Sequence, residues 1–203
     1  MVQRADIEGG EALAGLALTV PNLITFGRLL AVPLAVWLIL DERFEAAFWV
    51  FIAAGVSDAL DGYVAKRFDS RSRLGALLDP AADKALLTGV YVALALAAKL
   101  PVWLVFLVVL RDGLIVIGFL LIYATAAPRR FEPLYISKIN TLLQIALIGF
   151  VLGNFGLDID TGFAIPLLTA AVAVTTVASG FSYLVRWALI LARPGPVHPD
   201  TAL

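Results

Sequence analysis

Long apolar segments dominate this chain and limit the folds it can adopt. Hydrophobic residues make up 61% of its 203 residues, against roughly 45–50% in soluble domains. Six segments approach the roughly 20 apolar residues that a membrane-spanning helix needs, and they lack the alternation typical of strands. The expected spans are residues 21–40, 44–67, 79–98, 101–124, 137–154 and 163–191. The sequence therefore predicts an all-α polytopic membrane protein with six transmembrane helices.

The charges between these spans predict their orientation. Acidic residues are concentrated near 41–45 and 155–162, whereas basic residues are concentrated in 66–73 and 129–138 and recur at Arg193. Because cytoplasmic loops carry an excess of Lys and Arg, both termini and the 66–73 loop are expected in the cytoplasm. The expected location is a bacterial-type inner (cytoplasmic) membrane.

One domain accounts for most of the chain. Residues 21–192 are predicted as a single transmembrane domain, followed by a tail at 193–203. Residues 1–20 are predicted as an N-terminal segment with a short interfacial helix, because apolar residues recur there at helical spacing behind acidic ones; a disordered leader is the alternative. The sequence shows no internal repeat, which argues against the inverted repeats of many transporters.

Several classes of chemistry are disfavoured by composition. The chain has no cysteine, so disulfides, thiolate chemistry and Cys-type zinc sites are excluded. Its only histidine, His198, lies in a Pro-rich tail, which argues against a Ser-His or Cys-His nucleophilic system. A net charge of −1 gives no reason to expect a nucleic-acid partner.

Two pairs of aspartates lie where the second predicted span ends and the third begins. The spacings of i,i+3 and i,i+4 place each pair on one helix face, about 5–6 Å apart at Cβ. Ionisable residues within membrane segments are costly, which favours a functional interpretation. Four carboxylates from two neighbouring helices can hold two divalent cations and share them with substrate phosphates. The alternative is that the acids pair with basic residues at a polar membrane boundary, namely Lys66, Arg67, Arg71, Arg73 and Lys84.

The two pairs belong to one longer run, Asp58-x2-Asp61-Gly62-x2-Ala65-Lys66-x8-Gly75-x3-Asp79-x3-Asp83. This run resembles the signature of the CDP-alcohol phosphatidyltransferase family. One position departs from it, because the family usually has Arg where this chain has Lys66. Arg forms a bidentate fork and Lys a point charge, so the exchange affects contact with a diphosphate.

The resemblance implies transfer of a phosphatidyl group from CDP-diacylglycerol to an alcohol, with release of CMP. It also implies a homodimer and two divalent cations, Mg²⁺ or Mn²⁺. The metal ligands would be Asp58, Asp61, Asp79 and Asp83, and Asp83 would also be the catalytic base. The residues implied to bind the CDP part of the donor are Asn22, Thr25, Gly62, Ala65, Lys66, Ser72 and Gly75.

Three further runs indicate the acceptor. The run 21–28 resembles the first-helix entry of the family, although its Pro and polar residues are also ordinary capping chemistry. Arg111-Asp112 lies midway along the fourth span, where such a pair can also be structural. The run 137–144 reads Ser-Lys-Ile-Asn-Thr-Leu-Leu-Gln, and its polar residues can also join helices. The predicted acceptor-binding residues are Arg28, Arg111, Lys138, Asn140 and Thr141.

The run 137–144 and the last span resemble the mitochondrial-type, CMP-forming cardiolipin synthase branch, which implies phosphatidylglycerol as the acceptor. The alternative is phosphatidylglycerophosphate synthase, in which a further Arg follows about two turns after an Arg-Glu pair. Here 113–123 contains no basic residue, whereas a phosphomonoester acceptor favours an added Arg. Another alcohol acceptor, an ion-coupled transporter and a structural assembly protein are the remaining alternatives.

Overall fold

The structure is a computed structural model that describes residues 20–68, 73–124 and 135–192. These ranges contain six α-helices and no strand. The helices are α1 Val20–Leu40, α2 Phe44–Phe68, α3 Arg73–Leu96, α4 Val102–Ala124, α5 Tyr135–Gly156 and α6 Ala164–Ala192. The all-α prediction is confirmed for these ranges. The predicted interfacial segment, apart from residue 20, and the C-terminal tail lie outside the described residues.

One helix boundary differs clearly from the sequence prediction. The third span was expected to begin at residue 79, but α3 begins at Arg73. The expected start was placed at the second aspartate pair, whereas the helix also includes the mostly apolar residues 73–78, Arg-Leu-Gly-Ala-Leu-Leu. Asp79 consequently lies within α3 rather than at its end.

The helices pack in a bundle around an apolar core. Helix α1 packs against α2 and α3, α2 packs against α5, and α6 packs against both α5 and α4. Fully buried side chains at the centre include Ile39, Tyr91, Leu94, Leu104 and Leu147. Ala47 on α2 and Val172 on α6 are fully buried as well, so all six helices contribute to the core. The polar side chains described below lie beside it.

The outer surface of the bundle is apolar as well. Phe106, Leu167 and Val174 are each more than 60% exposed, and large exposed apolar surfaces mark contact with a membrane or another protein. Within the described ranges, the segments Tyr135–Gly156 and Ala164–Leu189 are long and apolar enough to cross a membrane. Shorter apolar stretches lie in α1, α2 and α3. These features indicate a membrane protein, and the count of six spans stays a prediction.

Three helix connections meet at one end of the bundle. Glu42, Ala98 and Asp158 follow the ends of α1, α3 and α5 with φ values of 57°, 55° and 52°, the left-handed conformation that commonly ends a helix. The Nζ of Lys99 lies 4.3 Å from the ring centroid of Phe155 and 5.3 Å from that of Phe44. The other ends of α2 and α3, which carry the aspartates, therefore face the opposite end of the bundle.

Gly156 is required by the close approach of α5 to the start of α2. A Cβ atom built on Gly156 would lie 2.5 Å from the backbone nitrogen of Glu45 and 2.6 Å from the carbonyl carbon of Phe44. We expect Gly156→Ala to lower the free energy of unfolding by about 1–3 kcal/mol, the usual cost of overpacking. Thermal unfolding of the purified protein in detergent measures this change.

Gly149 provides the matched control on the same helix. A Cβ atom built there has no neighbour within 4 Å. Gly149→Ala should be neutral or stabilise the protein by up to about 1 kcal/mol, since Ala is the better helix former. Equal unfolding temperatures for the two variants would contradict the close approach.

Candidate functional site

The four aspartates lie at matching depths on two consecutive helices. Asp58 lies ten residues before the end of α2 at Phe68, and Asp83 lies ten residues after the start of α3 at Arg73. Asp61 and Asp79 lie seven and six residues from the same ends. At 1.5 Å per residue these are depths of about 15 Å and about 10 Å. Residues 69–72 join the helices, and such a short connection is typical of antiparallel neighbours.

The helix positions fit the predicted two-cation site, although the aspartate side chains lie outside the described part of the structure. Among the side chains that are described, no three acidic, His or Cys residues form a group that could hold a metal. Carboxylate oxygens are the ligands that Mg²⁺ and Mn²⁺ prefer. The metal site therefore depends on these four aspartates and stays a prediction.

The predicted donor-binding residues also fall where side chains are not described. Asn22 and Thr25 lie on α1, Gly62, Ala65 and Lys66 lie on α2, and Gly75 lies on α3. Ser72 is outside the described residues. The donor-binding positions on α2 and α3 lie at the same ends of these helices as the aspartates. Asn22 and Thr25 lie near the start of α1, which packs against both helices.

An ion network begins one residue after Asp83. The Nζ of Lys84 on α3 lies 2.7 Å from Oδ2 of Asp112 on α4. The other oxygen of Asp112 accepts a hydrogen bond of 2.7 Å from Nη1 of Arg111. Lys84 thus pairs with Asp112, and this bridge ties α3 to α4 at the level of Asp83.

Arg111 extends the same network to α5 and α6. It is 5% exposed, and its Nη2 donates to the hydroxyls of Ser179, at 2.7 Å, and Ser137. Its Nε also donates to Ser179, at 3.2 Å. A buried guanidinium with this many partners is well satisfied. Arg111 therefore joins three helices, and its predicted contact with the acceptor stays a prediction.

The sequence analysis did not assign Lys84, Asp112, Ser137 or Ser179 to the site. One available signal was their polarity within apolar segments. Ser137 and Ser179 also lie in the run 137–144 and the last span, which resemble the cardiolipin synthase branch. Ser179 is separated from Arg111 by 68 positions, and helix packing brings the two together. The hydrogen bonds between Arg111 and Ser179 therefore depend on how the helices pack and could not be predicted from the sequence.

Two buried amides on α5 carry unused donors. Oδ1 of Asn140 accepts hydrogen bonds from the hydroxyls of Thr175, at 2.8 Å, and Thr176, at 2.9 Å. Within the described structure, Nδ2 of Asn140 and Nε2 of Gln144 are buried without a hydrogen-bond partner. A buried donor left unsatisfied costs about 1–3 kcal/mol. These two amides therefore offer polar contacts that the described residues do not fill.

The remaining acceptor residues divide between the interior and the surface. Arg28 is buried on α1. Lys138 is exposed, with its Nζ 5.5 Å from the ring centroid of Tyr135. Thr141 is partly exposed and donates to the backbone carbonyl of Ser137. Asn140 faces α6, whereas Lys138 is exposed and Thr141 is partly exposed.

The whole helical domain matches one protein family. The sequence profile of the CDP-alcohol phosphatidyltransferases matches residues 18–188, a region that includes all four aspartates and the Arg111 network. The chain therefore belongs to the CDP-alcohol phosphatidyltransferase family, as the sequence predicted.

Individual relatives within that family carry two different names. The chain is 33% identical to the human protein named cardiolipin synthase (CMP-forming) over an alignment of 184 positions, which covers 81% of this chain and 60% of that protein. It is 38% identical to a Schizosaccharomyces pombe cardiolipin synthase (CMP-forming) / mitochondrial hydrolase fusion protein over 82% of this chain and 31% of the fusion.

A third relative carries the name of the alternative activity. The chloroplastic CDP-diacylglycerol–glycerol-3-phosphate 3-phosphatidyltransferase 1 of Oryza sativa is 33% identical over an alignment of 216 positions, which covers 95% of this chain and 65% of that protein. The chain thus spans between about a third and two thirds of the length of these relatives.

Proposed function

We propose that this protein is a cardiolipin synthase that transfers a phosphatidyl group from CDP-diacylglycerol to phosphatidylglycerol and releases CMP. The observation that carries this proposal is the matching depth of the two aspartate pairs on α2 and α3. Similarity to proteins named cardiolipin synthase supports phosphatidylglycerol as the acceptor.

The proposed reaction is a single displacement at phosphorus. The acceptor hydroxyl oxygen forms a bond to the phosphorus of the phosphatidyl group, and the bond from that phosphorus to the CMP oxygen breaks. Asp83 takes the proton of the acceptor hydroxyl. Two divalent cations, when bound by Asp58, Asp61, Asp79 and Asp83, supply neutralisation of the diphosphate charge. Lys66 and Ser72 are proposed to donate to diphosphate oxygens.

The Arg111 network supports placing the acceptor next to this reaction. It connects Lys84, the residue after Asp83, to Ser137, the residue before Lys138. We propose that Lys138 and Thr141 bind the phosphate of the acceptor, with Arg28 and Arg111 adding positive potential and Asn140 adding a donor. The network, which joins α3, α4, α5 and α6, would then hold Asp83 and Lys138 at a similar depth in the bundle.

Phosphatidylglycerophosphate synthase is the second candidate. The rice relative, whose printed name includes glycerol 3-phosphate, aligns with 95% of this chain. The residues proposed for metal and donor binding would serve both reactions equally. The acceptor alone distinguishes them.

A product assay tests the proposal. Purified protein is supplied with labelled CDP-diacylglycerol, Mg²⁺ or Mn²⁺, and either phosphatidylglycerol or glycerol 3-phosphate, and the lipid products are separated. We expect cardiolipin and CMP in equal amounts, and loss of both when EDTA removes the metal. Product with glycerol 3-phosphate alone would identify the second candidate. If no alcohol supported CMP release, the enzyme assignment itself would fail.

We further propose that the protein crosses the membrane six times, has both termini on the cytoplasmic side and forms a homodimer. The basic character of 66–73 and 129–138 supports a cytoplasmic active site. Labelling of single cysteines introduced at Asp41 and at Arg130 in intact cells tests this topology. Only the cysteine at residue 41 should react with an impermeant reagent from outside.

A further inference from the structure

Two neighbouring grooves on the outer surface of α5 share one lining residue and are together called the track. The first groove has a volume of about 390 Å³ and is polar at its start, where Ser137, Lys138 and Thr141 line it. The second has a volume of about 470 Å³ and lies between α5 and the α2 side chains Phe48 and Ile52. Ile145 lines both grooves. The track therefore begins at a cation and continues over apolar surface.

The part of the track between Lys138 and Gly149 matches one leaflet of a membrane. These two residues are eleven positions apart on α5, or about 16 Å at 1.5 Å per residue. One leaflet contributes about half of the roughly 30 Å hydrocarbon core. An acyl chain that starts near Lys138 can therefore reach the groove beside Gly149.

The lining of the track changes from polar to apolar along α5, as a phospholipid with a charged head group and an acyl chain requires. Lys138 is an exposed cation, and the hydroxyls of Ser137 and Thr141 are partly exposed beside it. Beyond Ile145 the lining is aliphatic and aromatic, and Gly149 leaves the helix surface open because a Cβ atom there would meet nothing within 4 Å. A free phosphate or glycerol 3-phosphate would use only the polar start. The apolar continuation fits an anionic phospholipid.

We propose that this track binds the acceptor phospholipid, with its phosphate at Ser137, Lys138 and Thr141 and one acyl chain between α2 and α5. The inference rests on the proposed function and adds the route of the substrate, which enters sideways from the membrane. Ser137 also accepts a hydrogen bond from Arg111. The phosphate end of the track is therefore joined to the network that reaches the residue after Asp83.

Gly149→Leu tests the track by filling it. The leucine side chain occupies the apolar groove without meeting protein atoms at its Cβ. We expect the KM for dioleoyl-phosphatidylglycerol to rise about tenfold relative to that for dihexanoyl-phosphatidylglycerol, whose short chains end before Gly149. Tenfold corresponds to about 1.4 kcal/mol. An unaltered ratio of the two KM values would overturn the proposal.

Val174→Leu is the matched control for added bulk. Val174 is 68% exposed on α6 and does not line either groove. Its two KM values should keep the ratio of the unmodified protein. If Gly149→Leu lowers the unfolding temperature, Ile52→Phe, which enlarges the facing wall on α2, gives the same readout. An unmodified protein that makes no cardiolipin contradicts the proposed function, whereas an active one with an unaltered ratio contradicts the track alone.

Discussion

Replacement of Asp83 with asparagine is expected to lower kcat for CMP release by about 10²–10⁴-fold, the range that a general base contributes. The amide keeps the size of the side chain and one oxygen for metal contact, but it cannot take the proton of the acceptor hydroxyl. Binding of CDP-diacylglycerol should therefore weaken less than turnover. Rapid-mixing measurement of CMP release, together with equilibrium binding of the labelled donor, separates the two quantities.

Two further variants give this prediction its controls. Asp79→Asn removes a proposed metal ligand and should weaken donor binding and turnover together, with partial recovery at high Mg²⁺ or Mn²⁺. Asp41→Asn removes an exposed carboxylate beyond the end of α1 and should keep kcat within about twofold. If Asp83→Asn and Asp79→Asn lose donor binding equally, Asp83 acts as a metal ligand alone.

Arg111→Leu is expected to lower the free energy of unfolding by about 3–5 kcal/mol, the usual cost of removing one partner of a buried ion pair. The change leaves Ser179 and Ser137 without their donor and removes one of the two cations beside Asp112. Arg111→Lys should recover part of the loss, since a single ammonium cannot reproduce the planar fork that reaches both serines. Unfolding in detergent measures both variants.

A charge at the other end of the bundle provides the comparison. Arg43 is exposed beyond α1, and Arg43→Leu should alter the free energy of unfolding by no more than about 0.5 kcal/mol. A loss below about 1 kcal/mol for Arg111→Leu would contradict the structural importance of the network. If Arg111→Lys keeps its stability but raises the KM for phosphatidylglycerol and not for CDP-diacylglycerol, Arg111 also contacts the acceptor.

The sequence predicted the features that depend on local spacing. Apolar length located the helices to within a few residues, apart from the start of α3. The i,i+3 and i,i+4 spacings also predict that the two aspartate pairs belong to one site, and that site stays a prediction. These signals are local because helical periodicity and the hydrocarbon thickness act on consecutive residues.

Features that depend on how the helices pack could not be predicted from the sequence. Arg111 was recognised as an internal charge, but its partner Ser179 lies on α6, and the pairing of Lys84 with Asp112 depends on the contact of α3 with α4. The groove between α2 and α5 depends on the open surface at Gly149. A glycine in a membrane helix usually indicates close helix packing, whereas here it leaves a space.

The cluster around Lys99 has a consequence for how substrates enter. Its ammonium group lies over two aromatic rings from α2 and α5, within the short connection of α3 to α4. Four helices are thus fastened to one another at the end opposite the aspartates. Movements that admit the proposed substrates are therefore expected at the aspartate end, while the helices stay in contact at the Lys99 end.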